Sequence, residues 1–150
     1  GFFQFIPFIR KNYKKTHRII GMLYILIILF LSAPSGLIMG YYGNGGIYSQ
    51  LSFCLQAILW FITTLLAYRY AIKGQYIKHI NFMTISYALT LSAISLRLFK
   101  WIIAVFWQLP PMDIYKVVVW LGWIINLIVA YGIIKFANRK RQRLNQMKAL

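Results

Sequence analysis

Four long apolar runs, at about 18–40, 47–70, 80–107 and 114–136, govern what this chain can fold into. A helix rises 1.5 Å per residue, so about 20 apolar residues cross the ~30 Å hydrocarbon layer of a bilayer. Each run is long enough. The strands of a membrane barrel are much shorter and alternate polar with apolar residues, and these runs do neither. Hydrophobic residues make up 61% of the 150, only 12% are charged, and the mean hydropathy is +0.65. A soluble domain of this length cannot hide that much apolar surface, so lipid is part of the solvent.

The links between the runs fit a compact bundle. YYGNGG at 41–46 is an uncharged Gly-rich turn, KGQYIK at 73–78 a short basic loop, and QLPPMD at 108–113 a proline-marked turn that no helix continues through. Short links force consecutive helices to lie antiparallel. The expected fold is therefore all-α, an integral-membrane four-helix bundle running up-down-up-down as one domain, without internal repeats.

Charge sets the expected orientation. The net charge is +16, with a single acid, Asp113. Lys and Arg number five in 10–18, three in 69–78 and six in 135–148, and only Arg97, Lys100 and Lys116 fall near the other boundary. Cations segregated between apolar runs are a topology signal, not a nucleic-acid face, and the positive-inside rule places both termini in the cytoplasm. Tyr41, Tyr42, Tyr48, Trp101, Trp107 and Tyr115 then form an outer aromatic belt. Residues 1–17 read as an interfacial segment, with aromatics in the acyl region and cations at phosphates. Residues 137–150 read as a basic cytoplasmic tail near anionic lipid. The first residue is Gly, and no signal-peptide pattern precedes the first run, so the chain reads as processed or truncated before Gly1.

Several chemistries drop out. One acid leaves no paired carboxylates, no carboxylate proton relay and no two-metal centre. GNGG follows no strand and is a turn, not a phosphate loop. Cys54, alone within an apolar run, makes no internal disulfide and has no histidine nearby to activate it. These exclusions argue against an enzyme acting on its own. Pro34 removes a backbone hydrogen bond from the first span and is expected to kink it. Gly36 and Gly40 form a GxxxG pair suited to close packing within the bundle or with another subunit. Asn126, midway along the fourth span, needs a hydrogen bond in the apolar interior, with Gln56, Thr63 or Thr64 of the second span as expected partners.

The motif order resembles the DUF2306 family, bacterial and fungal membrane proteins of unknown function. The matching pieces are GFFQF at 1–5, HRIIGMLY at 17–24, HINFMTISYALT at 79–90 with ISLRLF at 94–99, and WLGWIINLIVAY at 120–131. The family usually has Arg where this chain has Ile85, Trp where it has Phe82, and often an acid where it has Tyr131. It also tends to carry a further helix ahead of the Gln-Phe motif, which here would precede Gly1. The family has no settled activity, so the resemblance bears on fold more than on function. It implies a bacterial cytoplasmic (inner) membrane location and a distant similarity to four-helix membrane cytochromes b.

The two histidines raise the functional question. His17 opens the first span and His79 the third, both on the cytoplasmic side. In an up-down-up-down bundle the first and third helices run the same way and face each other across the core. Two histidines at equal depth there can ligate one haem b iron from opposite faces, with Arg18, Lys15 and Lys78 as propionate contacts. A zinc or copper site would be incomplete, with no Cys or acid nearby. The bland reading makes both histidines boundary residues bonded to headgroups. On the third span His79, Met83, Ser86, Thr90, Ala93 and Arg97 share a face, expected to point inward. Arg97 and Lys100 are candidates for an anionic ligand, or for snorkelling to outer phosphates. Two functions stand open: a membrane subunit binding haem b for transmembrane electron transfer, and a cofactor-free accessory subunit packed against a larger membrane complex.

Overall fold

The computed structural model describes residues 13–106 and 111–148. The described residues are helical throughout apart from two short turns, and they hold four helices long and apolar enough to cross a membrane. The first span comprises α1 (Lys14–Ile27), a π-helical segment (Ile28–Ser32) and α2 (Ala33–Tyr41). The second is α3 (Ile47–Ile72), the third α4 (Tyr76–Phe106), and the fourth belongs to α5 (Pro111–Lys148). Thus Lys14 to His17 are already helical, the second link shortens to 73–75, and α5 starts inside the turn expected at 108–113. The basic tail continues α5 as one helix through Lys148. Residues 1–12 of the expected interfacial segment, and Trp107 of the expected belt, lie outside the described residues.

Pro34 acts through its neighbours. It stands in the first turn of α2, and the preceding helix widens into the π segment where its ring would meet the carbonyl four residues back. The buried positions record the change: Ile25 and Ile28 are three residues apart, but the next, Ala33, is five further on. One extra residue in the turn rotates α1 relative to α2, so the two halves present different faces. The α2 half lies densely against α3, whereas α1 touches α3 sparsely and buries only Ile25.

The GxxxG pair packs within the chain. An added Cβ on Gly36 would rest 3.6 Å from the Ala57 Cβ, and one on Gly40 would come within 3.0 Å of the Phe53 Cβ and 3.2 Å of the Cys54 nitrogen. Gly45, at φ 99°, turns the chain toward α3, and a side chain there would collide with Ser49 and Tyr115. On the other side, α3, α4 and α5 pack mutually. Contacts between α3 and α4 pair Gln56 with Ser92, Thr64 with Ser86, and Ala67 with His79, numbers rising on one helix as they fall on the other. This is the pattern of antiparallel neighbours. Gly122 lets α5 approach α4, where a Cβ would stand 3.2 Å from the Leu96 Cβ.

The buried face of α3 consists of Ser49, Ser52, Ala57, Thr63, Thr64 and Ala67, while Leu51, Leu55, Ile58, Phe61 and Ile62 point outward. Small residues inside and large apolar ones outside is the arrangement of a membrane bundle. Gly40→Val is expected to cost about 1–3 kcal/mol through overpacking, whereas Gly132→Val, with nothing within 4 Å of an added Cβ, should leave stability unchanged. Thermal unfolding in detergent micelles separates the two.

Candidate functional site

The polar interior gathers where α1 leaves α3. The backbones of α1 and α4 stay apart there, and the Tyr24 side chain bridges them. Its hydroxyl lies 3.0 Å from Ser86 Oγ and 2.8 Å from Thr90 Oγ1. Ser86 Oγ is also 2.7 Å from Thr64 Oγ1, and the Thr64 and Thr90 hydroxyls donate to the Trp60 and Ser86 carbonyls. Ser86 and Thr64 are fully buried. Every hydroxyl in this cluster has a partner, as water-free surroundings demand.

Below it stands His79, half-buried, with Nδ1 2.8 Å from the Ala67 carbonyl of α3. A carbonyl only accepts, so Nδ1 carries a proton, and in the neutral ring Nε2 then holds the lone pair. Met83, one turn along α4, is buried. His17 is also half-buried, and its Nδ1 is enclosed.

The Tyr24 bonds set the register between α1 and α4. Tyr24 follows His17 by seven residues and Ser86 follows His79 by seven, two helical turns or about 10.5 Å in each case. Each histidine thus stands two turns before the Tyr24–Ser86 contact along its own helix. Arg18 and Lys15 are exposed next to His17. Lys78 is exposed too, its ammonium 5.3 Å from the centre of the Tyr70 ring, which stacks on Phe82 at 5.4 Å.

The rest of the expected inward stripe needs correcting. Ala93 and Arg97 are exposed, as is Lys100. Besides Ala88, the buried positions on α4 advance by threes (Met83, Ser86, Leu89, Ser92), so the buried face winds around the helix and has left Arg97's side by the outer end. Lys100 instead holds its ammonium 6.0 Å from the Tyr115 ring centre. Asn126 bonds the third span and not the second: Ser95 Oγ donates to its Oδ1 at 3.0 Å, and its Nδ2 donates to the Ala88 carbonyl at 3.2 Å. The partners expected for it are engaged elsewhere. Gln56 bonds Ser92, Thr64 bonds Ser86, and Thr63 turns back on the carbonyls of its own helix. Asn126 also lies in the wall of an open groove of about 330 Å³ between α4 and α5, on the side of α4 away from His79.

Tyr24 is the residue the sequence reading missed. Its signal was present, two turns after His17, but the abundance of tyrosine hid it among belt residues. Trp123 is similar: its indole N–H donates to Ser52 Oγ at 2.9 Å, tying α5 to α3. Among the described residues no group of three or more His, Cys, Asp or Glu is placed to hold a metal ion.

Fold and site together define a helical membrane protein with four helices long and apolar enough to span the bilayer and a polar seam among them. The family model of DUF2306, described as a predicted membrane protein, matches residues 1–146, and the chain belongs to that family. No curated protein and no solved structure matches it.

Tyr24→Phe is expected to cost about 0.5–1.5 kcal/mol, because Ser86 and Thr90 keep other partners after the phenol hydroxyl is gone. Denaturant titration in micelles reads this. A loss no larger than that of Tyr41→Phe, at an exposed tyrosine, would mean that the bridge contributes nothing.

Proposed function

We propose that the chain is a membrane electron-transfer subunit that holds one haem b between the first and third spans, with His17 and His79 as axial ligands. The observation that supports this reading is the Tyr24–Ser86 bridge between α1 and α4, whose two members each follow a histidine by seven residues on their own helix. A bis-histidine site needs ring nitrogens about 4 Å apart across a flat slot, which closely packed helices do not leave. The residues fit the group. The Nδ1–H of His79 is fixed by a backbone carbonyl, the outer hydrogen bond that orients an imidazole and frees Nε2 for a metal.

The haem would supply reversible one-electron transfer at its iron. The chain's own residues do the rest. The Ala67 carbonyl holds the His79 ring, and Tyr24 ties α1 to α4. Arg18, Lys15 and Lys78 place positive charge at the mouth of that slot, where propionates would be neutralised. Lys78 would have to leave the Tyr70 face to take part. The same cations, with those of the 69–78 loop and of α5, support an orientation with both termini in the cytoplasm. Bacterial inner membrane is the location proposed. The second reading is a cofactor-free accessory subunit; the large apolar side chains on the outer surface, Phe30, Leu31, Phe106 and Phe136 among them, suit lipid and a partner helix alike.

The test is a spectrum of protein expressed with ample haem. A Soret band that sharpens with an α-band on dithionite reduction, lost in both His17→Ala and His79→Ala, is the expected outcome. A featureless spectrum after reconstitution with haemin would leave the accessory-subunit reading. Orientation is tested in a Cys54→Ser background by Asn44→Cys, expected to react with an impermeant maleimide from the periplasmic side only.

A further inference from the structure

Arg141 is an arginine on the wrong face for a merely solvated tail. Over residues 130–144 of α5 only Ala130, Ile134, Asn138 and Arg141 are withdrawn from the surface, spaced by four, four and three. They form one helix face, continuous with buried Trp123 higher up. Lys135, Arg139, Lys140 and Arg143 are all on exposed positions. Arg141 therefore turns in under the bundle while its neighbours turn out. Its Nη1 atom is buried and has no hydrogen-bond partner among the described residues.

A half-buried guanidinium with one nitrogen closed off from water and lacking a hydrogen-bond partner favours an anion beside it. This chain has one carboxylate side chain, that of Asp113, 28 residues away on the same helix and so about 42 Å off. The counter-ion has to come from elsewhere. Depth says where. The apolar run of the fourth span ends at Phe136, five residues or about 7.5 Å before Arg141. The headgroup layer extends about 5–7 Å beyond the hydrocarbon on each side, so Arg141 stands at phosphate depth. Continuing the pairings of Leu96 with Gly122 and of Ala88 and Ser95 with Asn126 down the α4–α5 contact brings Arg141 level with about residues 73–80, the 73–75 turn and the start of α4. That turn carries Lys73, leads to Lys78, and opens α4, whose first amide groups and positive dipole end face the same region.

We propose that Arg141 anchors an anionic phospholipid headgroup, its phosphate held between the inward face of α5 and the 73–75 turn. The guanidinium presents a fork of N–H donors that matches two phosphate oxygens, while Lys73 and Lys78 add charge without fixed geometry. The lipid's tails extend along the apolar flank of α4 and α5. This site is independent of the histidine pair and of any haem.

The experiment compares the wild type, Arg141→Gln and Arg139→Gln in nanodiscs of phosphatidylcholine alone and with added phosphatidylglycerol. The two variants remove the same charge from opposite faces of one helix. Phosphatidylglycerol is expected to raise the unfolding temperature of the wild type and of Arg139→Gln. Arg141→Gln should lose most of that rise, and native mass spectrometry should show its retained anionic lipid weakened on the order of fivefold or more. In phosphatidylcholine alone Arg141→Gln should unfold no lower than the wild type, which also shows that it folds. Equal unfolding of the wild type in both discs, or equal losses in the two variants, overturns the proposal in favour of diffuse charge. Inorganic phosphate reproducing the rise in phosphatidylcholine discs overturns the lipid assignment in favour of a soluble anion.

Discussion

Hydrocarbon offers no partner to a polar group, and the rest of this structure follows from that one constraint. Backbone groups are satisfied inside helices, so the bundle is held by what the side chains do between them. Apolar burial contributes little to the association of helices already in lipid, which is as apolar as leucine. Close approach and hydrogen bonds decide. The inward face of α3 meets both needs: Ala57 and Ala67 admit neighbours closely, while Ser52, Gln56 and Thr64 each bond another helix. Each such bond is worth only about 0.6 kcal/mol on average, so the seam works by number and by specificity of register. A one-turn slip between α3 and α4 would break Gln56–Ser92, Thr64–Ser86 and Ala67–His79 together.

The same constraint explains what was legible in the sequence. Span number and helical class follow from run length and apolarity alone, which are local properties. The GxxxG pair was readable as a contact but not as a contact with α3, because two glycines do not specify their partner. Asn126 shows the limit most clearly. Its need for a hydrogen bond was certain from its position, yet the choice of Ser95 and Ala88 over Gln56 depends on which helix lies beside α5 at that height. Arg97 failed for a geometric reason: eighteen residues are five turns of an isolated helix, but a helix crossing its neighbours has a buried face that winds. Periodicity describes one helix, and register between helices is not written in it.

The first span departs from the rest of the bundle in a way that traces to Pro34. The π segment before it rotates α1 relative to α2, and α1 then diverges from α3 while α2 stays packed on it. An opening of this kind inside a membrane protein has to be bridged by something polar or filled. Tyr24 does the bridging two turns above the histidines, and its side chain is long enough to do so without drawing the backbones together. A shorter hydroxyl at that position would either leave Ser86 and Thr90 to each other or pull α1 inward, narrowing the space beside His17.

The proline, the π segment and the tyrosine therefore act as one device, and the charge distribution completes it. The end of the bundle where α1 splays is also the end that collects nearly all of the cations, with no carboxylate side chain among its described residues to balance them. Whatever enters there is favoured if it is anionic, at Arg18 and Lys78 on one side and at Arg141 on the other. The two places differ in what they ask of a ligand. At His17 the ligand proposed above is a flat apolar body with charged edges. At Arg141 the ligand proposed is a phosphate with its tails in lipid. A protein so short of acids has its electrostatics finished by what it binds, and the helix faces decide which anion goes where.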